Sequence, residues 1–460
     1  MDTDDATGRG SRAAAPDAVG PIRVDAEPLH YEPALDGIRA VAVLAVMAFH
    51  FLGAEYFAGG LIGVDVFFVL SGFLITSLLL DEQNRTGAVS LRGFYHRRVL
   101  RLFPAMYTLL GLVAVAAIFI GAEYPSVWAE LGAAALYSYQ IFLGLFGFAT
   151  PDSPRVLFHL WSLSVEEWFY FAIPTTVLVC IRRNWIKQLG WLLGAGIVAI
   201  GVARWFAYTG FWQDDAGMIS GIRLALLQRP DGLMLGALLA IVNAHLTAER
   251  IDRLRKPIVV VATVGLVVWA VALTTSFGLF EKLGLPYFKY LPDGPEQFSR
   301  PQMLAQSPVY WFRWGHTLGI FAFGAILFGL VHCRRWWLAR AWSWRPFQWM
   351  GRMSYTLYVW HALPYVFIIA LTGGEEASPT VQVLRLPVLI AAAFAVSLPV
   401  YYFVELRALR VKLRFSAEKE ALDLTTGKMV RVEDGKVSSL PPESDPGGAA
   451  DRGPDGPPSA

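Results

Sequence analysis

The stretch DGIRAVAVLAVMAFH carries Arg39 and His50 with nothing ionisable between them. Eleven steps of ~100° along an α-helix make three turns plus about 20°, so the two side chains share a face, about 16 Å apart along the axis. A guanidinium near one surface and an imidazole far above it would suit a long substrate with a phosphate head. The plainer reading of the same residues is an anchoring arginine and an interfacial histidine at the two ends of a span. Asp36 opens the same stretch and is a supporting polar group.

Glu166 and Glu167 are adjacent in HLWSLSVEEWFYF, with Tyr170 one turn later. Neighbouring residues on a helix point about 100° apart, so both carboxylates can hardly face lipid. One is expected to face a water-filled cavity beside His50, the other to pair with a cation such as Arg223 or Arg229; a structural salt bridge would explain them equally well. Arg98 and Arg101 in YHRRVLRLFPA lie three apart and so on one helical face. With Arg39 they could hold phosphates, or they could be an ordinary juxtamembrane cluster that fixes topology. Asp65, Arg229, Asp231 and His361 are further ionisable residues in apolar surroundings, for which structural partners or core packing are the competing roles.

These residues need a membrane to give them depth. Of 460 residues, 55% are hydrophobic and 17% charged, and the mean hydropathy is +0.45, the balance of a polytopic membrane protein. Residues 1–34 are polar and aperiodic, which predicts a disordered arm and no cleavable signal peptide. Apolar segments long enough to span follow at about 35–52, 61–80, 103–121, 158–180, 186–207, 222–245, 257–276, 314–332, 350–371 and 384–405. Basic clusters at Arg92–Arg101, Arg182–Lys187, Arg250–Lys256, Arg334–Arg345 and Arg407–Arg414 all fall on one side if segment 127–147 does not cross. The expected fold is therefore an all-α polytopic bundle of about ten transmembrane helices in the plasma membrane, both termini cytoplasmic, with 127–147 as a re-entrant or peripheral helix. The domain plan is an arm at 1–34, a membrane domain at 35–406 and a mostly disordered polar tail at 407–460, in which DLTTGKMVRVEDGKV could form a small hairpin. Cys180 and Cys333 are expected as free thiols, with no metal site and no partner nucleic acid. The loop 277–313, rich in aromatics and prolines, is a candidate lid or acceptor-recognition element. In this topology His50, Asp65, Glu166, Glu167, His361, Arg229 and Asp231 converge on one layer, and Arg39, Arg98 and Arg101 form a basic floor below it.

The order of Arg-x10-His, GVDVFFVLSGFLIT, RRVLRLFPA, HLWSLSVEEWFYF, RPDGLMLGALLA and SYTLYVWH resembles the membrane acyltransferase-3 family, which includes O-antigen and peptidoglycan O-acetyltransferases and macrolide acyltransferases. The resemblance covers about residues 33–406. It implies a cytoplasmic acyl-CoA donor, used as co-substrate with no permanently bound cofactor, and transfer to a hydroxyl, usually of a sugar, often on the outer side. It carries over Arg39 and His50 as the essential pair of the first helix, Arg98 and Arg101 as the paired arginines, and Glu166 as the acidic residue of the WSLSVEE stretch. Some members carry an appended extracytoplasmic esterase-like domain. None is visible in these 460 residues, so direct transfer to the acceptor is expected. The last span ends in VELRALR, where many relatives have a proline soon after the glutamate, which leaves Glu405 without an inherited role.

Residues and resemblance agree on a mechanism. Arg39, Arg98 and Arg101 would hold the donor's phosphates, the pantetheine arm would run along the first helix, and His50 would take the acceptor's proton as general base with Glu166 orienting the imidazole. Gly60, Gly63, Ser71 and Gly72 would leave room for a short acyl group, acetyl or similar. Acceptors consistent with this are a cell-envelope glycan, a glycolipid or a secondary metabolite. The alternative from another class is a proton-coupled transporter or flippase, since buried carboxylates and histidines also make proton relays.

Overall fold

The computed structural model describes residues 31–52, 57–119, 125–146, 157–207, 229–274, 315–372, 379–414, 420–423, 428–433 and 436–439. The membrane-domain residues among these are helical throughout. Helix α1 (Pro33–Leu52) is buried on nearly every face, from Leu35 and Ile38 to Val46 and Met47. It packs against α2 (Ile62–Thr86) and against a run of short helices late in the chain: α11 (Trp337–Trp342), α12 (Arg345–Arg352) and α13 (Ser354–Trp360). In lipid, where apolar side chains gain little by leaving their surroundings, such contacts depend on close backbone approach. A Cβ built on Gly37 would lie 1.9 Å from the Trp342 carbonyl oxygen, and one on Gly351 would lie 1.8 Å from that of Asp36.

The remaining helices are α3 (Leu91–Phe119), α4 (Pro125–Ala135), α5 (Tyr139–Phe146), α6 (Trp161–Arg182), α7 (Ile186–Ala207), α8 (Pro230–Ala244), α9 (Ala248–Thr274), α10 (His316–His332), α14 (Ala362–Leu371), α15 (Pro379–Val400) and α16 (Leu406–Arg414). Among the described residues seven helices are long and apolar enough to cross a membrane, and α8 and α10 are shorter apolar helices. The membrane domain is thus an all-α polytopic bundle. Segment 127–147 forms no single span. Its two helices of 11 and 8 residues are too short for a ~30 Å hydrocarbon core, and they break at Tyr137, whose φ is 50°. Trp168 donates to the Tyr137 carbonyl at 3.0 Å and Tyr107 to that of Ala135 at 2.7 Å, so the pair is strapped onto α6 and α3.

Three expectations need correction. Gly60, Gly63 and Gly72 do not make room for an acyl group. A Cβ at Gly60 would lie 2.2 Å from the Ala45 carbonyl oxygen, one at Gly63 2.4 Å from that of Ala42, and one at Gly72 2.1 Å from that of Leu233. All three let helices touch. The arm boundary also moves: α1 begins at Pro33, and just before it Tyr31 donates to Asp36 at 2.6 Å while Glu32 pairs with Arg334. Finally, the hairpin expected in the tail is there but extends to a third strand, beyond the mostly disordered tail expected. After α16, strands β1 (Glu420–Asp423), β2 (Lys428–Glu433) and β3 (Lys436–Ser439) form an antiparallel meander, with Ala421 opposite Val430 and Val432 opposite Val437. The loop at 277–313 and Arg223 lie outside the described residues.

Candidate functional site

Five elements line one solvent-open cavity. Helix α1 contributes Arg39, α2 contributes Phe67, Phe68 and Ser71, α3 contributes Arg98 and Arg101, α6 contributes Ser162, Glu166 and Tyr170, and α13 contributes Ser354, Tyr355 and Tyr358. Arg39, Arg98 and Arg101, which the sequence grouped as a basic floor, all line this one cavity. All three are partly exposed. The Arg98 guanidinium lies over the Tyr170 ring, 4.6 Å from its centroid, and 5.6 Å from that of Phe94. Among the described residues neither Arg98 nor Arg101 forms a salt bridge. Arg39 pairs with Asp36 at 2.8 Å, and Tyr31 donates to the other Asp36 oxygen. Burial and the Asp36 carboxylate push the Tyr31 phenol up to about 12, so it stays a hydrogen-bond donor at neutral pH. Glu166 points into the cavity and accepts from Ser71 and Tyr170.

His50 is not part of this cavity lining, and Glu166 is not its partner. The expected orienting carboxylate is replaced by a second imidazole: His50 Nδ1 lies 2.7 Å from His361 Nε2, the rings nearly coplanar and edge to edge, with centroids 4.9 Å apart and 10° between planes. His361 Nδ1 lies 2.6 Å from the Tyr358 carbonyl oxygen. A third imidazole, His159, stands edge-on to His361 at 4.9 Å and binds the Val359 carbonyl at 3.0 Å. His159 and His361 are fully buried, while His50 is partly exposed. Tyr358 borders both the cavity and this histidine cluster. Its ring lines the cavity, and its hydroxyl meets Ser162 Oγ at 2.6 Å and the His159 carbonyl oxygen at 2.9 Å.

The remaining predicted polar residues form a separate network. Arg229 donates to Asp65 at 2.9 Å, His316 lies 3.1 Å from the other Asp65 oxygen, and Arg229 sits 5.5 Å from the Trp161 ring centroid. Arg204 donates to Asp231 at 2.7 Å and to Thr317 at 2.9 Å. These bonds tie α2, α7 and α10 to α8 and its N-terminus. Arg229 itself has φ 54°, a conformation that costs a non-glycine residue ~1 kcal/mol or more and persists where surroundings over-determine it. The single polar layer expected from depth is thus three groups: the arginine cavity with Glu166, the histidine cluster, and the Asp65 and Asp231 ion pairs. Glu167 is not in the cavity lining, though it lies within electrostatic reach of Arg98, which is. Glu405 is buried in a π-helical turn, Tyr401–Glu405, and accepts from Thr356.

Sequence reasoning missed His159, Tyr358, Ser162, Arg204 and His316. Each had a signal. His159 and Ser162 lie in HLWSLSVEE and Tyr358 in SYTLYVWH, while Arg204 and His316 are ionisable residues within apolar segments, the usual marker of a buried partner.

Residues 32–402 match the acyltransferase domain family. Among curated proteins the chain is 29% identical over 388 residues to the peptidoglycan O-acetyltransferase OatA of Listeria monocytogenes, covering 82% of this chain and 55% of that protein. It is 31% identical over 380 residues to the candidate peptidoglycan O-acetyltransferase YrhL of Bacillus subtilis, covering 82% and 54%. A candidate O-acetyltransferase of Staphylococcus aureus strain MW2 is 29% identical over 347 residues, covering 74% and 52%. The chain spans about half the length of the curated relatives it matches. No solved structure matches it. With most of its length, its helical architecture and its order of motifs accounted for by one family, this chain belongs to the membrane acyltransferase-3 family.

Proposed function

We propose that the protein is a membrane O-acyltransferase that moves a short acyl group, acetyl, from acyl-CoA to a hydroxyl of a cell-envelope glycan. The observation that carries this reading is the cavity in which Arg39, Arg98 and Arg101 converge, two of them without a salt-bridge partner among the described residues. An arginine cluster with spare donors is suited to phosphates, which it binds by charge-assisted, often bidentate hydrogen bonds. In the charge-based topology these arginines face the cytoplasm, where acyl-CoA is found. The peptidoglycan O-acetyltransferases among the relatives support a glycan acceptor and an acetyl group.

The donor's phosphates sit on the arginines and its pantetheine arm rises along α1, over the roughly 16 Å between the levels of Arg39 and His50. Tyr358 and Ser162, both in the cavity lining, bond to the His159 carbonyl oxygen and so border the histidine cluster that the arm must reach. The acceptor hydroxyl oxygen attacks the thioester carbonyl carbon. A C–O bond forms, the C–S bond breaks, and CoA leaves as its thiol. His50 takes the hydroxyl proton and delivers it to the departing sulfur. Glu166, held by Ser71 and Tyr170, shapes the electrostatics of the cavity beside Arg98 and does not orient the base.

The test uses purified full-length protein in detergent or nanodiscs, with acetyl-CoA and peptidoglycan fragments. Acceptor-dependent release of CoA is expected, lost in His50→Ala while the melting temperature is kept. Transport of a glycolipid or metabolite without CoA-dependent chemistry would overturn the enzyme reading in favour of a transporter.

A further inference from the structure

The hydrogen bonds around His361 fix which nitrogen of His50 is free to act. A backbone carbonyl oxygen can only accept. At 2.6 Å from the Tyr358 oxygen, His361 Nδ1 must therefore carry a proton; a bare nitrogen there would set two lone pairs against each other. In a neutral ring this leaves His361 Nε2 without a proton, an acceptor. Its partner at 2.7 Å is His50 Nδ1, which must then be the donor. The proton of His50 is thus on Nδ1, and its Nε2 keeps a lone pair. No carboxylate is hydrogen-bonded to either ring among the described residues, so nothing stabilises a doubly protonated His361.

Packing holds this arrangement. His361 is fully buried at the joint of α13 and α14. The ring of His50 meets it edge to edge, and His159, itself tied to the Val359 carbonyl, stands edge-on at 4.9 Å. Phe158 contacts the edge of His50 at 4.9 Å. Both anchoring carbonyls, of Tyr358 and Val359, belong to the last turn of α13, so the chain of bonds starts from rigid backbone.

We infer that His361 is a positioning residue which, through the hydrogen bond from His50 Nδ1, sets the tautomer and orientation of His50 so that Nε2 is the base. The role is the one an orienting carboxylate plays in other acid–base pairs, filled here by a neutral imidazole anchored on a main-chain oxygen. This rests on the reading of His50 as general base.

Two variants and one spectrum test it. His361→Leu removes the acceptor and keeps bulk, while His361→Gln places an amide oxygen that can accept from Nδ1–H. Expected for His361→Leu is a fall in kcat of about 10²-fold or more, the scale of a lost general base, with the acetyl-CoA KM within about twofold. His361→Gln is expected to recover at least about tenfold of that loss. A purely structural role would lower the yield or melting temperature of both variants and leave kcat per folded molecule unchanged, which overturns the inference. ¹⁵N-histidine NMR of the wild type, with His50→Ala to assign the signal, reads the tautomer without relying on a variant that must fold. Protonated Nδ1 and bare Nε2 are expected, and the reverse tautomer would overturn the proposal. Full activity in His50→Ala would instead remove the general-base reading itself, whatever the tautomer.

Discussion

Arginines occur in two settings in this bundle. Arg204 and Arg229 are fully buried and each meets a carboxylate, Asp231 and Asp65. Arg39, Arg98 and Arg101 are partly exposed along one cavity, and among the described residues only Arg39 of the three has a salt bridge. A guanidinium removed from water needs a counter-charge within the fold, because an uncompensated buried charge costs several kcal/mol. One that keeps access to solvent can wait for its counter-charge to arrive with a ligand. The first pair holds helices together, and the second group offers binding capacity the fold does not consume.

The sharpest way to break this comparison is to remove one carboxylate. Asp65→Ala takes from the buried Arg229 the carboxylate it is paired with and is expected to cost about 3–5 kcal/mol, read as a large drop in melting temperature or loss of the monodisperse peak in detergent. Replacing both partners, Asp65→Leu with Arg229→Met, should recover most of that loss, since well-packed apolar residues often substitute for a buried pair. In the cavity the expectation inverts. Arg101→Ala should change stability by under about 0.5 kcal/mol but weaken the donor by about 1.5–3 kcal/mol, a rise of about 10- to 100-fold in its KM. Equal destabilisation by Arg101→Ala and Asp65→Ala would erase the distinction. Tyr170→Phe separates ring from hydroxyl. The ring stays beneath Arg98 while Glu166 loses one of its two donors, for about 1 kcal/mol of stability and little change in donor KM. The smallest effect is that of salt. Raising ionic strength from 0.1 to 1 M shortens the Debye length from about 10 to about 3 Å, so donor binding should weaken a few-fold while thermal stability, resting on the buried pairs, stays level.

The helical bundle was legible because apolar runs of span length, separated by basic clusters, leave few other solutions. The meeting of Arg39, Arg98 and Arg101 was legible too, since it required only helical spacing and a shared end. What could not be read was rotation. Rise per residue assigns His50 and Glu166 similar depths, but a helix can turn any face toward any neighbour at a given depth. His50 turned to His361 and Glu166 to Ser71 and Tyr170. The glycines misled for a related reason. A missing side chain looks the same in sequence whether it leaves a pocket or admits another helix, and Gly60, Gly63 and Gly72 admit helices. His159 was visible but carried no meaning until the late segment Ser354–His361 folded back beside it.

The backbone contacts at Gly37 and Gly351, where not even a methyl group fits, have a mechanical consequence. A helix pinned main chain to main chain at its base has no slack to slide along its axis. The height of its histidine above the arginines of α3 is therefore a fixed gauge. A guest whose reactive end stands one carbon too far from its anionic head cannot be accommodated by shifting this rod, and must buckle or stay out.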